Sequence, residues 1–150
     1  MGIQKDINQS KFRTEYQKGV INLIFTYNWL TEKLKNIFER DDITLQQYNI
    51  LRILRGAGQP LSTLQIRQRM LDKMSDTSRI VDRLILKGFV KKAICKTDKR
   101  LVDVSITDKG KKLLAKLDEH QDEMDNVISN LSEAEAMQLN GLLDKIRKPN

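Results

Sequence analysis

Five consecutive residues, Lys96-Thr97-Asp98-Lys99-Arg100, put three cations and one carboxylate between VKKAIC and LVDVSI. The flanking runs are rich in β-branched and apolar residues, so the five read as the tip of a hairpin. An arginine on a free tip loses much side-chain entropy when it binds. A carboxylate two residues earlier can hold the guanidinium ready, which assigns Asp98 to orient and Arg100 to insert where negative potential is concentrated, as in a narrow DNA minor groove. Lys96 and Lys99 then suit phosphates. The bland alternative is a solvated turn. A second group, Ser75, Asp76, Ser78, Arg79 and Arg83, lies on a segment with helical periodicity from about Ser75 to Lys87. Thr77, Ile80, Val81 and Leu84 cluster on one face, and Ser75, Arg79, Asp82, Arg83 and Leu86 lie on or near the other. Arginine can bridge the two acceptors of guanine, and serine can read several base edges. The alternative is a solvated face on which Arg79 and Arg83 pair with Asp76 and Asp82. Asp82 is expected to organise a neighbouring arginine. Thr63, Gln65, Arg67 and Arg69, one helix earlier, are candidate phosphate contacts.

No nucleotide-binding glycine loop, nucleophile motif or Cys/His ligand set accompanies these groups, so an enzyme is not expected, nor a cofactor or metal. His120 sits among Asp118, Glu119, Asp122 and Glu123, and a solvated helix face accounts for it better than a metal site. Cys95 is the single cysteine. It excludes an intrachain disulfide and reads either as a small strand residue or as a thiol sensitised by Lys92 and Lys96.

The elements that must position these groups follow from charge and periodicity. Leu61–Lys112 holds fourteen Lys/Arg and six Asp/Glu, whereas the remainder holds thirteen and fourteen. The net charge of +7 therefore resides in the middle third, a footprint that suits nucleic acid. Phe12, Tyr16, Val20, Leu23, Tyr27, Leu30, Leu34 and Ile37 mark a long first helix. Thr44 with Gln47, Ser62 with Gln65 and Ser132 with Glu135 predict capping boxes at three helix starts. GAGQP ends the second helix, and Gly88 the fourth. Strands are predicted over Phe89–Ile94 and Leu101–Ile106. Thr107 then caps a long helix whose stripe is Leu113, Leu117, Met124, Ile128 and Leu131. Ala136, Leu139, Leu142, Leu143 and Ile146 mark the last helix. The fold class is mainly α with a small β-hairpin wing. Its centre is a winged helix-turn-helix, spanning residues 43–112 between terminal helices at 1–42 and 113–150.

ITLQQYNILRIL, SDTSRIVDRLILKGFV and CKTDKRLVDVSITDKGKKLL closely resemble the MarR (multiple-antibiotic-resistance regulator) family of transcription factors. The ordered set is R-I-V-D-R-L with K-G-F-V, then D-x-R in the hairpin, then I-T-D-K-G. The match runs from about Ile43 to Leu117. The resemblance implies a homodimer with interleaved terminal helices, a roughly palindromic duplex DNA site, and promoter occlusion relieved by a small ligand or by thiol oxidation. Peroxide-sensing members carry their reactive cysteine near the first helix, where this chain has none.

For the terminal segments, dimerisation is expected through Phe12, Tyr16, Val20, Leu113, Leu117, Met124, Leu139, Leu142, Leu143 and Ile146. Packing within one chain is the alternative. An effector pocket is expected where the terminal helices meet the centre, with Tyr16, Tyr27, Trp29 and Tyr48 as candidate linings. The start, MGIQKDINQSKF, lacks the apolar run of a signal peptide and no segment approaches a membrane span, so a cytoplasmic protein without membrane partners is expected. The rivals to a DNA-binding repressor are a protein-interaction module on the same fold and a redox regulator acting through Cys95.

Overall fold

The computed structural model describes residues 2–149. A short helix α1 (Ile3–Asp6) precedes the long α2 (Glu15–Phe38), whose first turn is capped by Thr14 accepting from the Gln17 N–H. α3 (Leu45–Ala57) opens with the Thr44/Gln47 capping box and closes at Gly58, which adopts φ 65°. A two-residue strand β1 (Leu61–Ser62) runs into α4 (Thr63–Arg69), and α5 (Thr77–Leu86) follows a short turn. The wing is β2 (Val90–Ile94) and β3 (Val102–Ile106). α6 (Asp108–Asp118), α7 (Gln121–Asp125), a 3-10 turn (Asn126–Ile128) and α8 (Glu133–Ile146) complete the chain. All three capping boxes expected from the sequence form reciprocally. Each cap satisfies orphan backbone donors and is worth about 1 kcal/mol.

The core sits under the wing. Phe38, Ile50, Leu51, Leu54, Leu61, Ile66, Met70, Val81, Leu84, Val90, Val104, Leu114 and Leu117 are buried together. α3 is the central rod, touching α2, α4, α5, α6 and β3. The core thus draws on Phe38 from the first segment and on Leu114 and Leu117 from the last, beyond the 43–112 limits expected for the central unit. Leu117 is fully buried against its own chain. Its role in dimerisation is corrected accordingly, because no surface of it is left for a second protomer. Leu113 and Met124 also pack partly on this core.

Three other features depart from the sequence reading. The sheet has three strands in the order β1-β3-β2, with Leu61 paired to Val104 and Ser62 to Asp103. β1 is too short for an alternating pattern to reveal it. The helix after the wing is broken at Glu119–His120 rather than continuous, because i to i−3 bonds from both residues tighten the turn there. Arg55 then grips Asp118 on one side of the break and Arg40 grips Glu123 on the other. Finally, α5 begins at Thr77, so Ser75 lies ahead of it, and Phe12 likewise precedes α2.

The wing root is locked by Gly110. A Cβ there would lie 2.3 Å from the Phe89 carbonyl oxygen and 2.8 Å from Ile106 Cγ1. Only glycine lets α6 approach the strand backbone so closely. Thr107 fixes the same junction, its N–H donating to Phe89 O and its hydroxyl to Gly88 O. By contrast, α8 buries none of its fourteen residues, and Tyr16, Val20, Ile24 and Tyr27 of α2 are exposed.

Candidate nucleic-acid interface

α5 presents its polar face outward because Thr77, Val81 and Leu84 anchor the opposite one. Ser78, Arg79, Asp82 and Arg83 are all exposed. Asp76 is the N-cap, its carboxylate accepting from the Arg79 N–H at 3.2 Å. That bond occupies one carboxylate oxygen of a residue expected to face the ligand directly. Ser75 is half-buried, and its hydroxyl donates to the Asp72 carbonyl at 2.7 Å. The start of α4 lies beside the start of α5, so Thr63, Leu64 and Arg67 share one cleft with Met74, Ser75 and Ser78. Its volume is about 470 Å³.

Among the described residues, Arg67, Arg79 and Arg83 form no ion pair. The arrangement in which Arg79 and Arg83 are consumed by Asp76 and Asp82 is therefore not adopted. Asp82 instead accepts from Lys92 of β2 at 2.6 Å. This corrects the expectation that an arginine would hold it. Lys92 lies on the same side of its strand as buried Val90, which brings its ammonium under α5. The pair ties the middle of α5 to the wing.

At the wing tip, the Asp98 carboxylate accepts from Arg100 Nε and Nη2, each at 3.1 Å, and from the Arg100 N–H at 3.0 Å. These bonds, the side-chain pair first, hold the Asp98 carboxyl below the usual carboxylate range and raise the guanidinium of Arg100 further above its own. The Arg100 side chain is nonetheless 90% exposed, against 34% for Asp98. The acid thus grips the base from behind and leaves the rest of the guanidinium facing solvent. Lys96 and Lys99 are exposed and, among the described residues, have no carboxylate partner. Cys95 lies at the base of the tip with Sγ 3.1 Å from Thr97 Oγ1.

The four aromatic residues expected to line one effector pocket separate. Tyr27 borders an apolar cavity of about 520 Å³ with Leu30, Leu34, Leu45, Asn49 and Met70. Tyr48 is core, its ring 4.5 Å from that of Phe38, and it borders a neighbouring depression with Leu34 and Met124. Tyr16 is 88% exposed and Trp29 lies under Lys33. Neither reaches the Tyr27 cavity. Asn49, buried in the wall of that cavity, accepts from the Leu71 N–H at 3.0 Å and so pins the turn leading into α5. Asn49 was not singled out by sequence, and Lys92 was named only as a neighbour of Cys95 and not as the partner of Asp82, since a polar residue on an apolar helix and one lysine among many carry no pattern that reveals these roles. Among the described residues no group of three His, Cys, Asp or Glu side chains could hold a metal, and no helix is long and apolar enough to cross a membrane.

A family model described as the MarR family matches residues 41–101. The chain is 31% identical to a MarR transcription factor from Planctomyces limnophilus of known structure, covering 89% of this chain and 98% of that one with a TM-score of 0.69. It is 28% identical over 118 residues to the HTH-type transcriptional regulator PecS of Dickeya dadantii (strain 3937), covering 77% of this chain and 71% of that protein. A mutant MarR from E. coli complexed with operator DNA superposes with a TM-score of 0.81 at 23% identity, covering 93% of this chain and all of that one, a likeness of fold.

Proposed function

Because this chain belongs to the MarR family of transcription regulators, we propose that it acts as a homodimeric repressor. Each protomer lays α5 into the major groove of a roughly palindromic duplex and its wing into the adjacent minor groove, and a small molecule releases it. The observation that carries this reading is the division of charge. The carboxylates Asp76, Asp82 and Asp98 are each held by a cap, a lysine or an arginine, while Arg79, Arg83, Lys96 and Lys99 are exposed and, among the described residues, unpaired. Such a face gains by releasing counterions from DNA. Ser78 and Arg79 suit base edges, and Thr63, Arg67, Lys96 and Lys99 suit phosphates.

The bare faces of α2 and α8 support the dimer. Fourteen residues with no buried side chain make a marginal helix unless something covers them. Val20, Leu139, Leu142 and Ile146 are exposed apolar residues suited to that role. Pairing two protomers would set the two α5 helices about 34 Å apart, one turn of DNA. The Tyr27 cavity is the candidate effector site, since one wall is α2 and another is the turn that Asn49 pins ahead of α5.

Selection of bound duplexes from a random-sequence pool, followed by salt titration, tests the reading. Affinity is expected to fall steeply with salt, and Lys99→Ala to reduce the log–log slope by about one. Duplex binding that is absent or insensitive to salt would overturn the reading in favour of a protein-interaction module.

A further inference from the structure

The cleft between the starts of α4 and α5 carries a feature that phosphate binding does not use. Leu64 is 63% exposed and Met74 is 91% exposed, and both line the cleft alongside Thr63, Arg67, Ser75 and Ser78. Apolar side chains gain nothing from a phosphate. Bare in water beside unpaired arginines, they mark a surface that is covered in the working state. Arg67 lines the cleft with no ion pair among the described residues, and exposed Arg79 follows Ser78 at its edge, while the Asp76 carboxylate in the same lining is engaged by the Arg79 N–H. This balance argues for an anionic occupant rather than a second protein's apolar face. A DNA base edge in the major groove offers one apolar group, the thymine C5-methyl.

We propose that Leu64 and Met74 form an apolar reading surface for thymine methyl groups, so that the preferred site carries thymine beside the bases contacted by Ser78 and Arg79. The inference rests on the DNA-binding reading above. The neighbouring hydroxyl of Ser78, which is exposed, would take the polar part of the same edges. The apolar pair would add discrimination against cytosine, which places an amino group and no methyl there.

Replacing thymine with deoxyuridine removes the methyl and leaves every hydrogen-bonding group in place. The test uses the full-length protein and duplexes selected by it from a random pool, with each thymine exchanged in turn and affinity read by fluorescence anisotropy at fixed salt. One or two positions per half-site are expected to lose about fourfold in affinity, the worth of one buried methyl. In Met74→Ala or Leu64→Ala that loss should shrink toward onefold at the same positions, while salt dependence stays unchanged. Both residues are exposed, so the variants should fold. Salt-dependent binding with uracil tolerated everywhere, or a uracil penalty identical in wild type and both variants, would overturn this inference and leave the DNA reading intact. A change in oligomeric state in the variants without any uracil penalty would reassign the surface to protein contact. Failure to bind any duplex would overturn both.

Discussion

Gly110→Ala tests whether the wing is held by close backbone contact or merely tolerates it. The added methyl would sit 2.3 Å from the Phe89 carbonyl oxygen and 2.8 Å from Ile106 Cγ1. Restoring ordinary contact, which begins at 3.4 Å, requires α6 and the strand backbone to part by about 1 Å. Overpacking of this kind costs about 1–3 kcal/mol. The same movement strains the bonds from Thr107 to Phe89 O and Gly88 O, at 3.0 and 2.7 Å, worth about 1 kcal/mol each. Alanine in a helix returns about 1 kcal/mol. A net loss of about 2–4 kcal/mol is expected, a large share of typical domain stability. Urea unfolding at one fixed protein concentration measures it, since dimerisation would otherwise shift the midpoint. Gly56→Ala is the control, because a Cβ at that helical position meets nothing within 4 Å, and it should stabilise by about 0.5–1 kcal/mol. If both variants shifted alike, the steric account of the wing root would be refuted.

Asp98→Asn should weaken duplex binding while leaving urea stability unchanged, because the Arg100 guanidinium loses its fixed pose but no core contact; a protein that binds as before would show that orientation is irrelevant. Asp118 is held below the usual carboxylate range chiefly by its hydrogen bonds to Arg55. Its stabilising contribution is thus complete above about pH 4 and disappears as pH falls through the lowered value. Asp118→Asn should therefore cost up to about 1 kcal/mol at pH 7, with the difference from wild type vanishing in acid; a gap that persists in acid would contradict the sign. Leu142→Glu, on the exposed face of α8, should convert a dimer to monomers in sedimentation, whereas unchanged mass would exclude α8 from the interface.

Local chemistry made much of this protein legible from the chain alone. Capping boxes at Thr44, Ser62 and Ser132, the left-handed glycines at Gly58 and Gly88, and the Asp98–Arg100 pair each involve residues no more than a few positions apart. Their geometry is fixed by backbone physics that needs no distant partner. The ordered motifs from Arg79 to Gly110 likewise identified the family. What only the folded chain decided were choices between distant residues. Asp82 had two nearby arginines, yet it paired with Lys92 because strand β2 runs beneath α5. Leu117 had the same helical spacing as an interface residue, but the approach of α6 to α3 sealed it into the core. The four candidate aromatics shared a periodicity that records only which residues are apolar. Packing sent Tyr48 inward, left Tyr16 exposed and gave Tyr27 alone the wall of the larger apolar cavity. Periodicity states that a face will be covered, and the identity of the cover is settled by which elements meet.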